Sequence, residues 1–186
     1  MAGITEKLRQ YAGAPWFPVL VGILSGVNLF TLVLSTPLVV LYCSAVLANE
    51  KMWLRTAVCN AVGTVAGVVV LCSLVDVHGT GFIRETFPTT FESRWWAWTE
   101  HMMQTYGAVA AVPVAAMPII LHPLVFFAKL SGMSPAVLYT SILVGRILKY
   151  SIMAHMAMSA PQLLKYFGAS KEVIAEVSQG GDKKDS

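Results

Sequence analysis

The chain has 186 residues, 56% of them hydrophobic and only 12% charged, whereas a soluble domain carries about a quarter charged residues. With a mean hydropathy of +0.65 it holds more apolar surface than a water-soluble core of this size could cover, and the composition reads as that of an integral membrane protein. The net charge of +3 comes from 13 basic and 10 acidic residues spread through polar stretches, without a basic stripe interleaved with aromatics, which argues against a nucleic-acid partner.

The opening MAGITEKLRQ is polar and lacks a small-residue cleavage site, so no removed leader is expected. Ile4, Leu8 and Tyr11 fall at i, i+4 and i+7, with Glu6, Lys7 and Arg9 on other faces. Residues 1–14 therefore read as an interfacial amphipathic segment, and equally well as a solvated terminus. From Tyr11 to Asn49 there is no Asp, Glu, Lys or Arg, a run longer than one span of ~20 residues and too short for two spans with a turn. Pro15, Pro18, Gly22, Gly26, Asn28 and Pro37 punctuate it, which predicts a proline-broken helical hairpin over about 15–48 that enters and leaves on one side.

Glu50, Lys51 and Arg55 then mark water or headgroups, and 56–75 supplies one simple crossing. Within it Gly63 and Gly67 form a GxxxG suited to close helix packing. Residues 76–101 form a polar middle with the cluster Trp95, Trp96 and Trp98, residues common at headgroup level. A second broken hairpin is expected over 102–128, interrupted by Pro113, Pro118 and Pro123, followed by a crossing over 135–160 that contains Arg146, Lys149 and His155. The membrane domain thus covers 15–165. The polar tail, 166–186, holds a short apolar stripe of Val173, Ile174 and Val177.

The order of broken hairpin and spanning helix occurs twice. "YAGAPWFP" from Tyr11 and "YGAVAAVP" from Tyr106 share their tyrosine-to-proline spacing, "TPLVV" from Thr36 faces "HPLVF" from His122, and Gly63 corresponds to Gly145. The offset drifts by several residues, so the halves form a pseudo-repeat, in either an inverted or a parallel sense. Proline-interrupted segments at corresponding positions mark a transporter-like core, because backbone freed at hairpin tips must be buried in protein or line a wet cavity. The fold class expected is all-α integral membrane, with two re-entrant hairpins each followed by spanning helices.

The stretch "YGAVAAVPVAAMPIILHPLVFFAKLSGMSPAVLYTSILVGRILKYSIMAHM" resembles the second half of the DedA family, also called the VTT or SNARE-associated Golgi family. The likeness lies in the tyrosine-glycine start, the hairpin prolines, Gly132, Pro135, Gly145-Arg146 and Lys149-Tyr150, and it extends more loosely over Tyr11 to Ala160. The resemblance implies two re-entrant hairpins facing each other inside the membrane, and roles in phospholipid scrambling or polyprenyl-phosphate recycling. Two departures stand out. The first hairpin lacks the acidic residue common in the family, which puts proton coupling in doubt. "MPIILHP" also separates Pro118 from Pro123 more widely than a PxP pair and inserts His122.

The candidate functional residues are Arg146 and Lys149, three apart on one helix face, with Asn28 and His122. An intramembrane charge costs ~3 kcal/mol or more and demands a partner or a wet cavity. Arg146 offers forked donors suited to a lipid phosphate or to free carbonyls at a hairpin tip. Lys149 is equally able to snorkel to an interface, and His122 to bond a free carbonyl. Pro18, Pro37, Pro113, Pro118 and Pro123 are assigned to hairpin breaking, and Gly63, Gly67, Gly132 and Gly145 to helix packing. Cys43, Cys59 and Cys72 have no CxxC spacing, and HExxH, P-loop, GxSxG and GxGxxG motifs are absent. No enzymatic activity, metal or cofactor is expected.

The leading functional expectation is a lipid scramblase or translocase whose partners are membrane lipids, either anionic phospholipid or polyprenyl phosphate. The alternative is a non-transporting accessory subunit of a larger membrane complex, or a homo-oligomer. The location expected is a multi-pass membrane setting, either a bacterial inner membrane or an organelle membrane such as the mitochondrial inner membrane.

Overall fold

The computed structural model describes residues 10–31, 34–86, 88–92 and 94–167, with Lys7 and Ile174. Ile4, Leu8 and most of the tail, including Val173 and Val177, lie outside the described residues. All regular structure among the described residues is helical. Its order is α1 (Phe17–Thr31), α2 (Ser35–Ala48), a 3-10 turn (Glu50–Met52), α3 (Trp53–Thr86), α4 (Pro88–Glu92), α5 (Arg94–Tyr106), a 3-10 turn (Gly107–Ala110), α6 (Ala111–Ala116), α7 (His122–Leu130), α8 (Pro135–Ser159) and a last 3-10 stretch (Pro161–Phe167). Two helical stretches, Glu50–Gly79 and Pro135–Ser159, are long and apolar enough to cross a membrane.

The prolines begin helices. Pro18, Pro37, Pro113 and Pro123 fall in the first turns of α1, α2, α6 and α7, where a missing N–H costs nothing because first-turn donors have no helical acceptor. Pro118 alone lies within an interruption, the non-helical stretch 117–121 between α6 and α7. α7 ends at a Schellman turn: Met133 N–H donates to the Ala128 carbonyl at 2.9 Å and Gly132 N–H to that of Lys129 at 3.2 Å. Gly132 takes φ 70° there, and no neighbour lies within 4 Å of where its Cβ would be. It therefore caps a helix rather than packing two together. The stretch read as a polar middle is also helical over most of its described length. α3 continues past its apolar part to Thr86, with a break at Gly79, whose φ of 79° and ψ of 178° suit glycine alone.

α1 and α3 pack backbone to backbone. A Cβ on Gly22 would stand 2.5 Å from the Cys59 carbonyl oxygen, one on Gly26 2.6 Å from that of Gly63, and one on Gly67 2.6 Å from that of Gly26, while one on Gly63 would overlap the Gly22 carbonyl. Successive contacts step forward along both helices, so α1 and α3 run in the same direction and α2 returns between them. In the second half a Cβ on Gly145 of α8 would lie 2.6 Å from the Val112 carbonyl oxygen of α6. Small residues thus let each long helix meet the first segment of its own half closely.

The second segment of each half bonds to the long helix of the other half. Tyr42 Oη of α2 donates to the Tyr150 carbonyl of α8 at 2.6 Å, and Lys129 of α7 pairs with Asp76 of α3. Two apolar clusters result. One joins Leu29, Val68, Leu71 and Val75 to Leu124, Phe126, Leu138 and Ile142. The other joins Phe17, Val21, Leu41 and Val46 to Met153, Ala154 and Ala157. A polar layer separates them: along α1 the order is Phe17 and Val21, then Ser25 and Asn28, then Leu29, and along α8 it is Leu138 and Ile142, then Arg146 and Lys149, then Met153 and Ala157.

Candidate functional site

The polar layer encloses a cavity of about 250 Å³. α1 contributes Ser25 and Asn28, the start of α2 Ser35, Thr36 and Tyr42, and α3 Asn60 and Thr64. The interruption before α7 contributes Pro118 to Leu121 together with His122, and α8 contributes Arg146, Lys149, Tyr150 and Met153. Each helix presents these residues by its own period: Asn60 and Thr64 are one turn apart, and Arg146, Lys149, Tyr150 and Met153 recur at i, i+3, i+4 and i+7.

Its hydroxyls form a directed chain. Thr64 Oγ1 donates to the Asn60 carbonyl at 2.9 Å, which commits its proton, so Ser25 Oγ, 2.8 Å away, donates to Thr64. Tyr150 Oη lies 3.4 Å from Ser25 Oγ and supplies the next proton in the chain. The Tyr42 ring lies tilted against that of Tyr150 at a centroid distance of 5.2 Å, and its hydroxyl holds the Tyr150 carbonyl. One wall of the cavity is thereby fixed by bonds among α1, α2, α3 and α8.

The charge in the cavity comes from α8. Arg146 is 5% exposed, and its Nη2 donates to the Ile119 carbonyl at 3.5 Å, a long bond to the non-helical stretch. Its Nε has no acceptor among the described residues. Lys149 is partly buried one turn along, with Nζ 5.7 Å from the Tyr150 ring centroid. Among the described residues no acidic side chain lines the cavity. Asn28 Nδ2 donates to Ser35 Oγ at 3.2 Å, while Asn28 Oδ1 and Asn60 Oδ1 are buried without a donor among the described residues. His122 is fully buried, 5.6 Å from the Phe126 ring centroid, with the Leu29 backbone carbonyl beside its imidazole.

No family model, curated protein or solved structure matches the chain. The site therefore rests on its own geometry.

The four polar residues singled out from sequence, Asn28, His122, Arg146 and Lys149, all line this one cavity. Among the hairpin prolines only Pro118 reaches it, and none of Gly63, Gly67, Gly132 and Gly145 does. Sequence reasoning missed Asn60 and Thr64. Their signal was present: Thr56, Asn60 and Thr64 recur every fourth residue in an otherwise apolar run, a polar stripe that turns inward. Among the described residues no group of three His, Cys, Asp or Glu is placed to hold a metal ion.

Proposed function

We propose that the chain is a membrane-embedded lipid-handling protein of the DedA type, and that its cavity receives the anionic headgroup of a lipid during passage between leaflets. The observation that carries this reading is the cavity itself, where Arg146 and Lys149 stand side by side with no carboxylate among the described lining residues to neutralise them. Two cations in a sparsely hydrated site repel each other and are both relieved by one phosphate.

The architecture supports a membrane setting. Ile23, Val27, Val62, Val70, Val144 and Leu148 are each 45% exposed or more along α1, α3 and α8, an outward apolar face that suits acyl chains and not water. In this reading α1 with α2 forms one re-entrant hairpin and α6 with α7 the other. They enter from opposite sides, because α1 rises from one apolar cluster to the cavity and α6 descends to it from the other. Asn28, Leu29, Ser35 and Thr36 at one tip and Pro118 to His122 at the other line the cavity, which gives non-helical backbone at membrane depth a polar lining. The two halves are then an inverted pseudo-repeat.

Reconstituted vesicles test the function. The purified protein should accelerate exchange of labelled anionic lipid between leaflets, and Arg146→Ala, which removes a charge-assisted contact, should slow it on the order of tenfold. Exchange at the protein-free rate with wild type would refute transport.

The lack of a carboxylate in the cavity also favours a second reading, an accessory subunit that binds lipid without coupled transport. Isolation in mild detergent then yields a stoichiometric larger complex, and recovery of a well-folded chain alone counts against it.

A further inference from the structure

We infer that the headgroup this cavity accepts is an anionic phosphodiester bearing free hydroxyl groups, of which phosphatidylglycerol is the simplest, and that Asn28 and Asn60 read those hydroxyls. The inference rests on the headgroup-binding reading above and narrows it to one chemical class. A bare anion satisfies only part of the site. Arg146 Nε and the Lys149 ammonium supply donors, but Asn28 Oδ1 and Asn60 Oδ1 are buried acceptors with no donor among the described residues.

The hydroxyls of the bonded chain do not serve them. The Thr64 and Ser25 protons are committed along the chain to the Asn60 carbonyl, the Tyr42 proton goes to the Tyr150 carbonyl, and Asn28 Nδ2 is spent on Ser35. Asn60 is 2% exposed, so its acceptor is served from the cavity it lines and not from the outer surface of the protein. A buried acceptor left unpaired is costly, and a ligand that brings the missing donor is selected over one that lacks it. An ammonium headgroup would bring donors too, but it would add a third cation beside Arg146 and Lys149, and among the described residues no acid lines the cavity to offset it. Neutral hydroxyls on the far side of a phosphodiester supply donors without that charge. A volume of 250 Å³ lies below the range of whole drug-sized ligands, which suits a headgroup entering while its acyl chains stay outside.

The test compares binding of three lipids to the full chain in detergent micelles, read by native mass spectrometry or displacement of a fluorescent lipid. Phosphatidylglycerol and phosphatidylmethanol carry the same single negative charge and differ in the hydroxyls, and phosphatidylcholine provides the zwitterionic reference. The expected result is phosphatidylglycerol bound about tenfold more tightly than phosphatidylmethanol, with both above phosphatidylcholine. Asn60→Leu and Asn28→Leu should each bring the first ratio toward one by weakening phosphatidylglycerol binding more than phosphatidylmethanol binding. Equal binding of the two anionic lipids by wild type overturns the hydroxyl inference and leaves anion binding standing. Unchanged discrimination in both leucine variants overturns the role of the two amides. Anionic lipids bound no better than phosphatidylcholine overturn the headgroup reading itself.

Discussion

At the scale of single residues, the cavity holds polarity that costs stability. Asn60 is nearly inaccessible, and its side-chain oxygen lacks a donor among the described residues; such a group costs about 1–3 kcal/mol. Asn60→Leu, matched in branching and free of that cost, should therefore raise the thermal midpoint in detergent by an amount worth about 1 kcal/mol, and a lowered midpoint would count against an unpaired amide. Tyr42→Phe should move stability the other way by about 1 kcal/mol, since it deletes the 2.6 Å bond from α2 to the Tyr150 carbonyl. The same contrast explains what was legible in the sequence. Arg146, Lys149 and His122 stand out because charge or imidazole inside an apolar run has few innocuous explanations. Asn60 and Thr64 sit in a run of simple crossing length, and their meaning depends on a partner helix, α1, whose register against α3 no local pattern states.

At the scale of elements, glycines differ by what faces them, and one set of alanine substitutions separates the cases. Gly63→Ala drives a methyl into the Gly22 carbonyl, with backbone on both sides and no flexible side chain to yield. It should cost several kcal/mol or prevent α1 from docking on α3. Gly132→Ala meets open space but keeps φ at 70°, a strain of about 1–2 kcal/mol. Gly81→Ala meets nothing within 4 Å and no positive φ, and should be neutral or stabilising by up to about 1 kcal/mol through helix propensity. Chemical or thermal unfolding of the three variants in one detergent checks the order, and equal losses at Gly63 and Gly81 would contradict the backbone contact. The GxxxG of Gly63 and Gly67 was readable, but its partners Gly22 and Gly26 were read only as interruptions of an apolar run. The prolines were likewise read as breaks. Proline restricts the residue before it and suits a helical first turn, so Pro18, Pro37, Pro113 and Pro123 each report a helix that has just begun, while Pro118 alone of the five marks an interruption.

At the scale of the whole molecule, neither half owns a core. The cluster around Phe126 draws Leu29, Val68, Leu71 and Val75 from the first half, and the cluster around Phe17 draws Met153, Ala154 and Ala157 from the second. The Tyr42 bond and the Lys129–Asp76 pair cross between halves in opposite directions. Local sequence comparison exposes the recurring order of segments, because prolines and glycines recur in it. It does not expose the exchange, since contacts between residues 53 and 108 positions apart leave no periodic trace. The exchange has a consequence for folding: the apolar faces of α2 and α7 are each partly covered by a long helix translated in the other half. Two fragments, 1–92 and 93–186, should therefore fail when expressed singly, aggregating or being degraded in the membrane fraction, because each exposes half of both clusters. Expressed together they should co-purify in equal amounts, since only the connection between α4 and α5 is cut while both clusters re-form. Lys129→Ala should weaken that association modestly, by at most about 1 kcal/mol, because Asp76 is largely exposed and the apolar contact does most of the holding. A monodisperse, stable 1–92 fragment on its own would mean that the first half completes its core without α8, and the interlocked arrangement would have to be abandoned.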